Sequence, residues 1–120
     1  MRIDSPATLA DFRLYARCPG CGQTTGLVPH HAIIRCGMGG GSRLDVPCNL
    51  LSVCVVCNGL AEQERTMNAR LLDALIQRLW REARSTAFTL QTVREYLWGL
   101  LRLPKGSEVP KPPWEKKESA

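Results

Sequence analysis

The chain has 120 residues, 16 Lys and Arg against 11 Asp and Glu, a net charge of +5 and an isoelectric point near 9.1. That length supports one domain with little room for a second core. No apolar run approaches the roughly 18 residues of a membrane span, and the first dozen residues carry Asp4 and Asp11 with no apolar stretch of a secretory signal. A membrane protein, an extracellular disulfide scaffold and a wholly disordered chain are poor readings on these grounds. The expected setting is a reducing, cytoplasmic one, where six cysteines turn toward metal rather than disulfides.

Three segments follow one another. Residues 1–66 hold every Cys and His and eight of the ten glycines, with no long helical period, and read as a loop-rich metal unit. Residues 67–103 are helical in pattern. Met67, Leu71, Leu72, Leu75, Ile76, Leu79 and Trp80 recur at helical spacing, with Arg70, Asp73, Gln77, Arg81 and Arg84 mostly opposite. After a break at Ser85-Thr86, Thr89 caps a second helix carrying Leu90, Val93, Leu97, Leu100 and Leu101 on one side, ended by Pro104 and Gly106. These two amphipathic helices are expected to pack on the metal unit. Residues 104–120, with four prolines, seven charges and little apolar content beyond Val109 and Trp114, read as a disordered tail.

Charge is uneven along these segments. Residues 67–103 carry six Arg and three acids, net +3, whereas residues 1–66 are net +1. Twelve of the 16 basic residues are Arg, the side chain suited to bidentate phosphate contact.

The chemistry lies between two knuckles, Cys18-Pro19-Gly20-Cys21 and Cys54-Val55-Val56-Cys57. Each tight turn sets two thiolates on one side of a metal, and two turns complete the closed tetrahedron of a structural Zn²⁺ site. Between them run Leu27-Val28-Pro29-His30-His31-Ala32-Ile33-Ile34, the glycine stretch Gly37–Gly41 and Asp45-Val46-Pro47-Cys48-Asn49-Leu50-Leu51. Neighbours in an extended segment point to opposite faces, so the two histidines should have different roles. The glycine stretch lacks the Lys-Ser/Thr ending of a phosphate-binding P-loop and reads as a flexible connection. Arg35 and Arg43 flank it.

In order, C-x2-C, H-H-x-I, G-G, D-x-P-x-N-L and C-x2-C-N resemble the zinc-stapled HNH endonucleases over about residues 18–62. The resemblance implies an α+β fold: a ββα-metal unit in which a hairpin carries the histidines, a loop holds the middle Asn, and a helix presents the last motif residue. It implies His31 as general base and His30 as a ligand of a catalytic divalent ion. Asn49 would brace the hairpin and orient His31, and Asn58 would be the second ligand. The residue types suit phosphodiester hydrolysis. An imidazole accepts a water proton at neutral pH, and a cation offsets charge on the leaving 3′ oxygen. A His-plus-Asn site points to Mg²⁺ or Mn²⁺.

Asn58 stands where the family more often has His, no further His follows in the helix, and Cys36 and Cys48 have no motif role. The last two read as small buried residues, or with His30 as a second metal site. The expected partner is DNA, contacted by Arg35, Arg43 and the Arg70, Arg81 and Arg84 side of the helices. One active site nicks one strand, so a double-strand cut calls for a homodimer or two events. The competing reading is a non-catalytic zinc-dependent DNA-binding protein on the same frame.

Overall fold

The computed structural model describes residues 1–14, 17–35 and 42–115. Cys36, the glycine stretch 37–41 and residues 116–120 lie outside that description. The element order is α1 (Pro6–Leu14), β1 (Leu27–His31), β2 (Leu50–Cys54), α2 (Val55–Gln63), α3 (Arg65–Ala83) and α4 (Leu90–Arg102), with a 3₁₀ turn at Pro47–Asn49 leading into β2. Among the described residues this is a small α+β fold, with one two-stranded sheet and four helices.

The strands are antiparallel, with Leu27 opposite Cys54, His30 opposite Leu51 and His31 opposite Leu50. The Ala32 N–H donates to the Asn49 carbonyl at 2.8 Å and prolongs the ladder past His31. Because β2 runs straight into α2, the second knuckle forms the corner between them, with Cys54 as the N-cap of α2.

α3 and α4 follow their leucine periods. Leu71, Leu75, Ile76 and Leu79 of α3 and Val93, Leu97 and Leu100 of α4 are buried in one cluster with Ile34, Leu44, Leu51 and Val53. Truncating such a leucine to alanine typically costs about 2–5 kcal/mol, so the helices complete the core that the sheet lacks. The break between them has a definite geometry. Arg84 takes a left-handed φ of 54° at the end of α3, and Thr89 caps α4 by accepting from the Thr92 N–H. Arg78 ties α3 to the sheet. Its guanidinium donates to the Leu50 carbonyl at 2.6 Å and to the Pro47 carbonyl, and lies 5.1 Å from the Phe12 ring centre.

Two expectations need correction. Besides the helix expected after the second knuckle, the first segment contains a further one, α1, opened by Ser5, whose hydroxyl accepts from the Thr8 N–H at 3.3 Å, with Pro6 at the first helical position. Residues 104–115 follow a defined path along the body rather than forming a disordered tail. The Tyr96 hydroxyl donates to the Pro110 carbonyl at 2.6 Å, and Trp114 stacks on Phe88 at 5.1 Å and meets Tyr96 edge-on at 5.4 Å. Prolines lower the entropy lost in fixing an extended segment, so a single aromatic anchor can hold it. Trp114→Ala is expected to lose about 1–3 kcal/mol through these two aromatic pairs. Urea denaturation measures the loss, with faster proteolysis after residue 103 as a companion readout.

Candidate metal centre and histidine site

The two knuckles meet. The thiol sulfurs of Cys18, Cys21, Cys54 and Cys57 all lie within 4.8 Å of one another, with Cys21 Sγ and Cys54 Sγ 3.5 Å apart. That separation is far beyond the roughly 2.05 Å of a disulfide. It is close to the about 3.8 Å expected between sulfurs bound tetrahedrally at roughly 2.3 Å from a metal. The four thiols can therefore hold a metal ion such as zinc.

Local sequence brings the knuckles together. A Cβ on Gly20 would stand 2.7 Å from Cys57 Sγ and 2.9 Å from Met67 Sδ, so only glycine lets the first turn approach. Arg70 donates to the Gly20 carbonyl at 2.9 Å and fastens α3 to that turn. Cys54 Sγ accepts from the Cys57 N–H at 3.3 Å, at the N-terminus of α2. Burial acts against ionisation of Cys18, but hydrogen bonds from Cys54, Cys21 and Gly20 bring its thiol down to about 7. Burial and the neighbouring thiols push Cys57 well up. Four crowded sulfurs cannot all ionise unaided, and a divalent cation removes that conflict.

The histidines diverge as an extended strand requires. His30 Nδ1 lies 2.7 Å from Asn58 Oδ1, across to the first turn of α2. His31 Nε2 lies 2.8 Å from Asp45 Oδ1. Among the described residues the buried polar side chains are His30, Asp45, Asn49 and Ser52. Ser52 is satisfied by the Phe12 carbonyl; the other three belong to this site. Such groups are costly to bury unless bonded.

Asn49 is fully buried and acts through its amide. Its Oδ1 accepts from the Ile33 and Ile34 N–H groups at 3.0 and 2.8 Å, and its Nδ2 donates to the Ile34 and Leu44 carbonyls at 2.9 and 3.0 Å. It thus clamps the chain leaving β1 to the segment entering β2. Asn49→Ala is expected to cost about 3 kcal/mol or more, since several buried backbone groups lose their partner. Urea unfolding with metal content measured in parallel checks this, the metal being retained. The ring of His31 is held not by Asn49 but by Asp45.

Asp45 was visible in the D-x-P-x-N-L run but carries no role on sequence grounds. Here it is 2% exposed and accepts from the Ser5 N–H at 2.9 Å and Arg43 Nε at 3.1 Å as well as facing His31. Burial alone would raise its carboxyl, but His31, Ser5 and Arg43 together hold it below the usual carboxylate range. The stability this contributes is present above the ordinary carboxylate pKa and is lost as pH falls through the lowered one. An ionised Asp45 at Nε2 places the ring proton there. Nδ1 of His31 has no partner among the described residues.

His30 is held below the usual histidine range, chiefly by burial, with Asn58 acting the other way and Arg35, His31 and Glu62 adding smaller fields. It is therefore neutral at physiological pH, as a ligand must be. Its Nε2 is buried without a partner among the described residues. Glu62 lies one helical turn beyond Asn58 on α2, a relation readable from the i, i+4 spacing once the helix is placed.

The arginines fall into different settings. Arg35 donates to Asn68 Oδ1 at 2.5 Å and the Ala61 carbonyl at 3.2 Å, Arg43 pairs with Asp45 and Asp4, and Arg70 serves the first knuckle. Arg81 and Arg84 are exposed. Cys48 is buried apart from the four-cysteine cluster, and burial pushes its thiol up to about 12, the state of an inert core thiol. No helix among the described residues is long and apolar enough to cross a membrane. No family model matches this chain, nor does any curated protein or solved structure.

Proposed function

We propose that this chain is a metal-dependent endonuclease of the HNH type, hydrolysing DNA phosphodiester bonds, with structural Zn²⁺ in the four-cysteine cluster. The observation that carries the reading is the pair of neighbouring histidines at the end of β1. One faces a buried carboxylate through Nε2, and the other faces an amide oxygen on α2. A module that only bound DNA would have no use for an oriented imidazole beside a second, neutral one.

His31 is the base. Asp45 fixes its tautomer and orientation and stabilises the imidazolium that forms when Nδ1 takes a proton from water. The resulting hydroxide attacks phosphorus as the bond to the 3′ oxygen breaks. His30 and Asn58, with Glu62 beside them, form a donor set for a hard divalent ion, Mg²⁺ or Mn²⁺. The 2.7 Å between His30 Nδ1 and Asn58 Oδ1 suits a hydrogen bond. It is also near the about 2.9 Å between adjacent octahedral ligands at Mg²⁺–ligand distances of roughly 2.0–2.1 Å. Bound there, the cation supplies positive charge to offset the leaving oxygen. Asn49 keeps the two arms of the loop together, so that both histidines hold their relation to α2.

Supercoiled plasmid incubated with zinc-loaded protein, with and without Mg²⁺ or Mn²⁺, tests the reading. Divalent-dependent nicking is expected. DNA binding without nicking under every metal condition would reduce the chain to a zinc-dependent DNA-binding protein.

A further inference from the structure

Beside the histidine site, the end of β1, the α2–α3 junction and α4 line an open cleft of about 480 Å³, within the roughly 300–1,000 Å³ typical of ligand sites. Its wall carries three arginines from three separate parts of the chain: Arg35 after β1, Arg65 at the start of α3 and Arg94 on α4. Arg35 is fixed by Asn68 and the Ala61 carbonyl. Arg65 and Arg94 differ. Neither has a carboxylate within 4.0 Å nor a side-chain hydrogen bond among the described residues, although Arg94 is half-buried. Arg65 is exposed, whereas Arg94, partly withdrawn from water without a counter-charge, is poorly satisfied; the planar donor fork of each suits a phosphate. Glu62 and Glu64 also line the cavity, which leaves one net positive charge for the single negative charge of a phosphodiester.

We propose that this cavity seats a backbone phosphate of the bound DNA strand, gripped by Arg65 and Arg94 against the fixed Arg35–Asn68 wall. The inference rests on the nuclease reading for its choice of DNA, and it places a neighbouring phosphate next to the scissile one. Proximity supports the coupling. Glu62 and Arg35 line the cavity, and the charges of both reach His30. Arg65 and Asn68 also belong to the first turn of α3, whose N-terminus has no side-chain cap, and a helix N-terminus favours an anion. Phosphate chemistry alone would equally admit a free phosphate, so the test separates the two sources.

Zinc-loaded full-length protein is titrated with a short labelled DNA duplex over a series of salt concentrations, without Mg²⁺ or Mn²⁺. The Arg65→Ala/Arg94→Ala double variant is expected to bind about tenfold more weakly, with the slope of log affinity against log salt reduced by about 1. Arg102→Ala, exposed on the same helix and away from the cavity, should leave the slope unchanged. Arg94→Lys keeps the charge and should keep the slope, which guards against a folding defect in the double variant. An unchanged slope in a folded double variant overturns the proposal, as does an equal effect from Arg102→Ala. Inorganic phosphate is the second probe. Calorimetric binding of phosphate by wild type and not by the double variant, with DNA affinity unchanged between them, assigns the cavity to free phosphate and also overturns it. The two readings fail separately. Wild-type protein that never nicks but shows the expected slope change loses only the nuclease; nicking with no slope change loses only the cavity.

Discussion

Chelating a metal ion held by Cys18, Cys21, Cys54 and Cys57 is expected to unfold the chain, and Cys54→Ser is expected to produce the same state without a chelator. The magnitude follows from what the cluster holds. The knuckles join the loop before β1 to the β2–α2 corner, and Cys18, Cys54 and Cys57 lie in the same apolar cluster as the leucines of α3 and α4. Structural Zn²⁺ contributes about 10–16 kcal/mol in small zinc-binding peptides near neutral pH, comparable with the roughly 5–15 kcal/mol by which whole domains are stable. Loss of the metal should therefore propagate beyond the knuckles. Helical circular dichroism falling with released zinc, counted by a colorimetric chelator, measures it. Acid should act in the same direction. Unfolded thiols bind protons that the metal-bound cluster has released, so affinity drops as pH falls below the ordinary thiol range. Protein that is free of zinc by metal analysis yet keeps its helical signal would overturn this expectation.

How much of this was legible in the sequence depends on the range of each interaction. The knuckles were legible because C-x2-C is a local geometry, and α3 and α4 because their leucine stripes repeat over many turns. The divergence of His30 and His31 follows from strand pleating once β1 is extended. α1 escaped because its apolar positions are few, leaving Ser5-Pro6 as its main local signal. The path of residues 104–115 escaped because composition speaks for disorder, whereas the ring stack of Trp114 on Phe88 is a contact across 26 positions. Asp45 was in view but unassigned, since nothing in a one-dimensional pattern says that a carboxylate 14 positions from His31 turns toward its ring. Arg94 lay on a helix read for its leucines. Its lack of a partner is a property of burial, which no periodicity reports.

The replacement His31→Ala is expected to abolish most strand cleavage, by about 10²–10⁴-fold for a lost general base, while zinc content, fold and DNA affinity stay at wild-type levels. The His31 side chain is only 13% exposed, but it stands outside the apolar cluster of the leucines, so its removal should not unfold the chain. Asp45→Asn separates positioning from chemistry. The imidazole remains, but the anion that orders its tautomer is gone, so kcat should fall with KM little changed, and less than for His31→Ala. On the proposed mechanism, His30→Ala and Asn58→Ala would remove donors to a divalent ion rather than the base. Raising Mn²⁺ should restore part of their activity and none of that lost in His31→Ala. The decisive comparison is a single-turnover nicking rate at saturating Mn²⁺ for these five proteins. If His31→Ala cuts as fast as wild type, or if Mn²⁺ rescues it as fully as it rescues His30→Ala, His31 is not the base. The Asp45 contact then serves the hairpin alone.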